Sequence, residues 1–197
     1  KRSRLPLVGL NNVRQKNMKT YFERWKPKGT CPPRKPVGKI IWSWVGAFLG
    51  ILLISIIGKH ISSIGDAFLI GSFGASAVLV YGATQAEFSQ PRNLVGGHLI
   101  SAIVGVTMFM LLGDQNILSS PLAVSLAIVA MHFTRTLHPP GGATALIAVI
   151  GGEKVHSLGY AYVLSPVLLA SLIMLLVALF VNNVSNNPKR HYPVYWY

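Results

Sequence analysis

From Ile40 to Gly58 the chain runs for nineteen residues without a single charge. At about 1.5 Å of rise per residue, a helix of that length crosses the ~30 Å hydrocarbon core of a bilayer. Nearly uncharged runs recur from Ala67 to Ala83, Leu94 to Leu112, about Pro121 to Leu137, and Tyr162 to Val184. Lipid offers backbone N–H and C=O groups no partners, so such runs must close their hydrogen bonds internally, as helices. The expected fold class is an all-α polytopic membrane protein.

The charge distribution agrees. Hydrophobic residues make up 51% of the chain and charged ones only 12%, while the formal net charge is +13. A basic excess of this size can signal nucleic acid, but twelve of the eighteen Lys and Arg residues precede the first apolar run, between Lys1 and Lys39. Basic flanks around an apolar body fit a positive-inside membrane protein whose tail lies on anionic lipid, and nucleic acid is excluded as a partner. The single cysteine, Cys31, leaves no disulfide or metal cluster. The first 36 residues have no apolar stretch resembling a signal peptide. The chain starts at Lys1 without Met, which leaves a removed transit peptide open. The expected organisation is a basic tail over 1–39, a membrane domain over 40–184 and an aromatic tail over 185–197. A short helix is expected around Met18 to Trp25, and the aromatic end is expected at the membrane interface.

Inside the apolar body, Leu137-His138-Pro139-Pro140-Gly141-Gly142-Ala143-Thr144 reads as broken backbone. Two prolines cannot donate hydrogen bonds, and helices tend to stop before them. A helix then restarts and ends at Gly151-Gly152, giving six spans, or five plus a re-entrant short helix. Six crossings place both basic ends on one side. A break with a helix N-terminus inside the bilayer is a characteristic site of transport chemistry. Gly74-Ala75-Ser76-Ala77 matches Gly142-Ala143-Thr144-Ala145 at an offset of 68 positions. Spans one to three then correspond to spans four to six, an inverted three-helix repeat with two broken helices. Chance recurrence of small residues in a membrane protein is the alternative.

Three blocks carry a family resemblance. Gly71-Ser72-Phe73-Gly74-Ala75-Ser76-Ala77-Val78-Leu79, Gln90-Pro91-Arg92-Asn93-Leu94-Val95-Gly96-Gly97-His98 and Leu137-His138-Pro139-Pro140-Gly141-Gly142-Ala143-Thr144-Ala145 together resemble the HPP integral membrane family, over about Pro36 to Tyr195. Its plastid and cyanobacterial members are described as nitrite transporters. The resemblance, strongest to prokaryotic members, implies transport of a small inorganic anion, nitrite first, across a bacterial inner membrane, with the plastid envelope as alternative.

An anion in a membrane needs compensation without excessive desolvation, and helix N-termini supply free N–H groups and a partial positive charge. The expected substrate-binding residues are therefore Gly74, Ala75 and Ser76 at one helix start and Pro140, Gly141, Gly142, Ala143 and Thr144 at the other. Close helix crossing is the alternative use of the same small residues. Arg92, His98, His132, Arg135 and His138 are candidates for an anion path or proton coupling. Residues 132, 135 and 136 are expected on one helix face, with His98 near His132 and Asn93 as an N-cap. The bland readings are an interfacial Arg135 and hydrogen-bonded structural histidines. No acidic pair, metal-ligand spacing or nucleotide loop is present, so neither enzyme nor cofactor is expected. A passive anion channel and a membrane scaffold or sensor subunit remain alternatives, and the Gly-rich faces permit a dimer or trimer.

Overall fold

The computed structural model describes residues 20–61, 70–184 and 190–197. The chain divides into two compact units, Lys1–Lys35 and Pro36–Tyr197. In the first, residues 20–23 form a helical turn, and Tyr21, Phe22 and Trp25 bring their rings to 5.5–5.8 Å of one another. Residues 18 and 19 of the expected helix, and Lys189 at the other end of the chain, lie outside the described residues.

Among the described residues of the second unit, the regular elements are all helical. Helix α1 spans Val37–Ile61 and α2 spans Gly71–Ala77, continuing as a π-helical segment, Val78–Gly82. Helix α3 spans Gly97–Leu112 and is entered through a π-helical segment, Arg92–Gly96. Then follow α4, Ser119–Phe133; α5, Pro139–Ile150; and a short α6, Glu153–His156. The last helix, α7, Leu169–Val184, is entered through Val163–Leu168, with Ser165 extended before Pro166. Among the described residues, three stretches are long and apolar enough to cross a membrane: Val37–His60, Arg92–Leu112 and Val163–Val184. The other three apolar helices, Gly71–Gly82, Ser119–Phe133 and Pro139–Ile150, are shorter. Twelve residues of α5 give about 18 Å, well under a full crossing. The second apolar run was expected to cross from Ala67 to Ala83. Its described helix is only Gly71–Gly82, so the short element of the first half matches that of the second.

Many apolar side chains point outward, among them Trp44 and Phe48 on α1, Leu111 on α3, Phe133 on α4, and Leu176 and Phe180 on α7. In water such a surface would be an aggregation hazard; against acyl chains it is the expected coat. Inward, small residues set the helix spacing. A Cβ built on Gly46 or Gly50 of α1 would collide with the Tyr81 ring, so the missing side chains let that ring lie between α1 and α7, where its hydroxyl donates to Met174 O at 3.1 Å.

The internal repeat is visible in the helices. Helices α2 and α5 begin at Gly71 and Pro139, separated by the same 68 positions as the two small-residue motifs. Each follows an extended residue, Ile70 (φ −78°, ψ 145°) or His138 (φ −137°, ψ 104°). The third helix of each half is entered at a proline: Pro91 precedes the segment Arg92–Gly96, and Pro166 follows the extended Ser165 within Val163–Leu168. Helix α1 packs on the α2 segment and on α7; α4 packs on α5 and α3; α2 meets α5 between them. Exchanging the halves reproduces that pattern. It breaks down where α3 packs closely on α5 while its counterpart α7 only grazes α2.

Candidate functional site

The polar residues of the two short helices converge. Ser72, Ser76, His98, His138 and Thr144 are all fully buried, beside a core of Phe, Tyr, Ile, Leu, Val, Ala and Met side chains. Ser72 and Ser76 lie four apart on α2 and so share one face. His98 is near the start of α3, His138 caps the break before α5, and Thr144 is on α5. Ser76 Oγ is 2.7 Å from His98 Nε2 and 2.8 Å from His138 Nε2. It also reaches Ser72 O at 3.1 Å. The other nitrogen of His98, Nδ1, is 2.7 Å from Thr144 Oγ1, which donates to Ser72 Oγ at 2.9 Å. His138 Nδ1 is 2.7 Å from Phe88 O. The two imidazole rings are 4.9 Å apart, and the Phe73 ring covers His98 at 5.2 Å. Tyr162 donates to Thr144 O at 3.2 Å.

Ser76 and Thr144 occupy equivalent positions of the repeat. They flank the two ring nitrogens of one histidine, which therefore joins the halves at their centre. Burying this many polar groups is unfavourable unless each is bonded, and each of these five is.

Several sequence expectations change. Helices α2 and α5 start at Gly71 and Pro139, not after Gly74 and Gly142, so the backbone N–H groups of Ala75, Ser76, Ala143 and Thr144 lie beyond the first turn, where helices use them internally. Pro139 and Pro140 have no N–H, and Gly141 N–H donates to His138 O at 2.7 Å. Of the four N–H positions at the start of α5, two are thus absent and a third is used. What reaches the centre is the hydroxyl of Ser76 or Thr144, not its amide. Gly74 and Ala75 face outward. Gly141 is buried where a Cβ would strike Ser101 Oγ and Gly97 O, which makes it a packing residue.

Helix α4 ends at Phe133, and Arg135 sits at φ +58° in the chain reversal. Residues 132, 135 and 136 therefore do not share a helix face. His132 and Arg135 are exposed, and the histidine beside His98 is His138. Arg92 donates to Thr134 O at 2.7 Å, tying the start of the α3 segment to the end of α4. Asn93 makes no N-cap; its Nδ2 donates to Leu137 O at 2.8 Å. The aromatic end is not simply interfacial either. Tyr192 is buried, and the loop 84–90 is pinned by Tyr192 Oη to Ser89 O at 2.8 Å, Val194 N–H to Gln90 Oε1 at 2.8 Å and Gln85 Nε2 to His191 O at 2.7 Å. That loop supplies the Phe88 carbonyl that holds His138.

Ser72 was missed in the sequence. The available signal was its four-residue spacing from Ser76, which becomes informative once the helix is begun at Gly71.

The model of the HPP transmembrane region matches residues 32–193. Two proteins named as transmembrane proteins of Dictyostelium discoideum are similar: one is 46% identical over 181 residues, covering 90% of this chain and 57% of that protein. The other is 44% identical over 185 residues, covering 90% and 63%. The chain thus spans about three fifths of the length of these relatives. No solved structure matches it.

Proposed function

The chain belongs to the HPP transmembrane family and is an integral membrane protein, and from that footing we propose that it carries a small inorganic anion, nitrite, across the membrane. The observation that supports this reading is the pair of repeat-equivalent hydroxyls, Ser76 and Thr144, bonded to opposite nitrogens of His98 at the centre of an apolar bundle. Stability alone favours apolar side chains there, and ionisable residues inside a membrane domain are by default functional. Hydroxyls and imidazole N–H groups can turn toward an anion without presenting a fixed positive charge. Binding is then weak enough to be reversed, as passage requires. The two short helices, joined through that histidine, are the elements whose relative movement opens the site to one side or the other. The basic segment up to Lys39 lies against anionic lipid in this reading.

The test is uptake of nitrite, nitrate, formate and chloride into liposomes holding the purified protein, wild type and Thr144→Val. Nitrite uptake above that of protein-free vesicles, reduced at least tenfold in Thr144→Val, is expected. Folded protein that moves none of these anions would overturn the proposal. A protein that instead serves as a scaffold would pass no anion and lose a bound partner when residues 1–35 are removed.

A further inference from the structure

The donors and acceptors in the buried cluster can be counted. Phe88 O is a carbonyl and only accepts, so His138 Nδ1 carries a hydrogen. Ser76 has one hydroxyl hydrogen and lies between two imidazole nitrogens, His98 Nε2 and His138 Nε2. It donates to one of them while the other donates to it, or it donates to Ser72 O at 3.1 Å and accepts from both, which leaves His138 with both of its hydrogens and the charge. When Ser76 donates to His138, His138 is neutral and His98 carries its hydrogen on Nε2. His98 Nδ1 is then either bare, accepting from Thr144, or protonated, donating to Thr144 while the Thr144 hydrogen lies on Ser72 Oγ, 2.9 Å away. When Ser76 donates to His98 instead, His138 holds both of its hydrogens and carries the charge, and His98 Nδ1–H donates to Thr144. The contacts are therefore all made either with no added proton or with one. A second would place two cations with ring centres 4.9 Å apart in an apolar bundle.

The one-proton forms charged on His98 and on His138 interconvert through a single hydroxyl. His98 Nε2–H passes its proton to Ser76 Oγ while the Ser76 hydrogen passes to His138 Nε2; one N–H bond and one O–H bond break, and one of each forms. Among the described residues, no carboxylate balances that charge. The described carboxylates, Glu23, Glu87, Asp114 and Glu153, are all exposed. Among the described residues, Tyr162 also reaches the cluster, at the Thr144 carbonyl. Arg92 is half-exposed and held by Thr134 O, and His132 and Arg135 face outward. An imidazolium enclosed this way needs an anion beside it.

We propose that His98, Ser76 and His138 form a one-proton relay that is charged only together with the transported anion, so that the protein moves one proton with each anion and no net charge. This rests on the anion-transport reading, but the two are separable. The proton site is tested by imidazole ¹⁵N NMR of histidine-labelled protein in nanodiscs, between pH 4 and 8, with and without nitrite. The expected result is one added proton shared between His98 and His138, taken up at higher pH when nitrite is present. Two added protons, or none with nitrite at any pH in that range, would overturn the relay whatever the flux assay gives.

Coupling is tested by protein-dependent nitrite flux in liposomes. One-to-one symport accumulates nitrite about tenfold per unit of pH gradient, independent of membrane potential. Ser76→Ala should abolish the dependence of rate on the gradient and Ser76→Thr should keep it. Nitrite flux that follows membrane potential and ignores the pH gradient would leave the transport reading standing and sink the relay. A shared proton in the NMR experiment with no flux of any anion would retain the relay as a proton site and sink the transport reading.

Discussion

Gly105 marks the tightest approach of α3 to α5, and the substitution Gly105→Ala tests whether that approach sets the site. A Cβ on residue 105 would sit 2.5 Å from Ala145 O and 2.8 Å from both Ala145 Cα and Ala148 Cβ, where ordinary contact begins at 3.4 Å. Two of these atoms are backbone and cannot turn aside, so the helices must part by about 0.9 Å (from 2.5 to 3.4 Å). Overpacking of this kind costs about 1–3 kcal/mol, and a rigid backbone obstacle puts it at the upper end. Replacing a helical glycine by alanine returns about 0.5–1 kcal/mol. The net loss is about 2 kcal/mol. Gly142→Ala is the control: the nearest atom to its Cβ is Val124 Cγ1 at 3.8 Å, so only the helix gain remains. The two variants should differ by about 3 kcal/mol, or roughly 6–12 °C in Tm for a domain of this size. The assay is thermal unfolding of both in the same nanodisc, followed by circular dichroism. His98 on α3 and Thr144 on α5 are bonded at 2.7 Å. Carried the same 0.9 Å apart, they would exceed hydrogen-bond range. Nitrite uptake should therefore fall in Gly105→Ala and not in Gly142→Ala. Equal Tm values for the two variants would refute the claim that the α3–α5 spacing is set by the absent side chain.

Other outcomes follow from the same contacts. Tyr192→Phe removes the hydroxyl that donates to Ser89 O and should cost about 1 kcal/mol. Burial also pushes the Tyr192 phenol above its ordinary range. The unfolded chain then releases this proton first, and stability should fall as pH rises past about 10. Melting curves at pH 8 and pH 11 should show that loss reduced in Tyr192→Phe. Arg92→Met, which frees Thr134 O, should lower Tm by a few degrees and leave the nitrite KM unchanged, since Arg92 ties α3 to α4 instead of facing the cluster. Removing residues 1–35 should leave nitrite flux intact and weaken binding of a 1–35 peptide-bearing fusion to anionic vesicles when deleted from it.

The helices were legible because lipid leaves an apolar run one choice, but their phase was harder to read. Gly74 and Gly142 suggested breaks, since glycine weakens helices in water. Among packed apolar helices it is tolerated in helix interiors, and both short helices begin three residues earlier. Proline gave the better signal at Pro139, because a first helical turn needs no N–H there. The displacement matters, since it turns an expected cradle of amides into a meeting of side chains. The repeat offset could identify Ser76 and Thr144 as equivalents, yet nothing local could show that they share His98, which lies between them in sequence and on a third helix. Nor could the repeat supply that histidine: the offset of 68 carries residue 98 onto Pro166, and residue 138 back onto Ile70. A residue at the junction of two copies serves both and needs no duplicate. The centre is therefore the place where internal symmetry predicts least, and where the two halves, built alike, hold different chemistry: a histidine and a threonine from one, two serines and the central imidazole from the other.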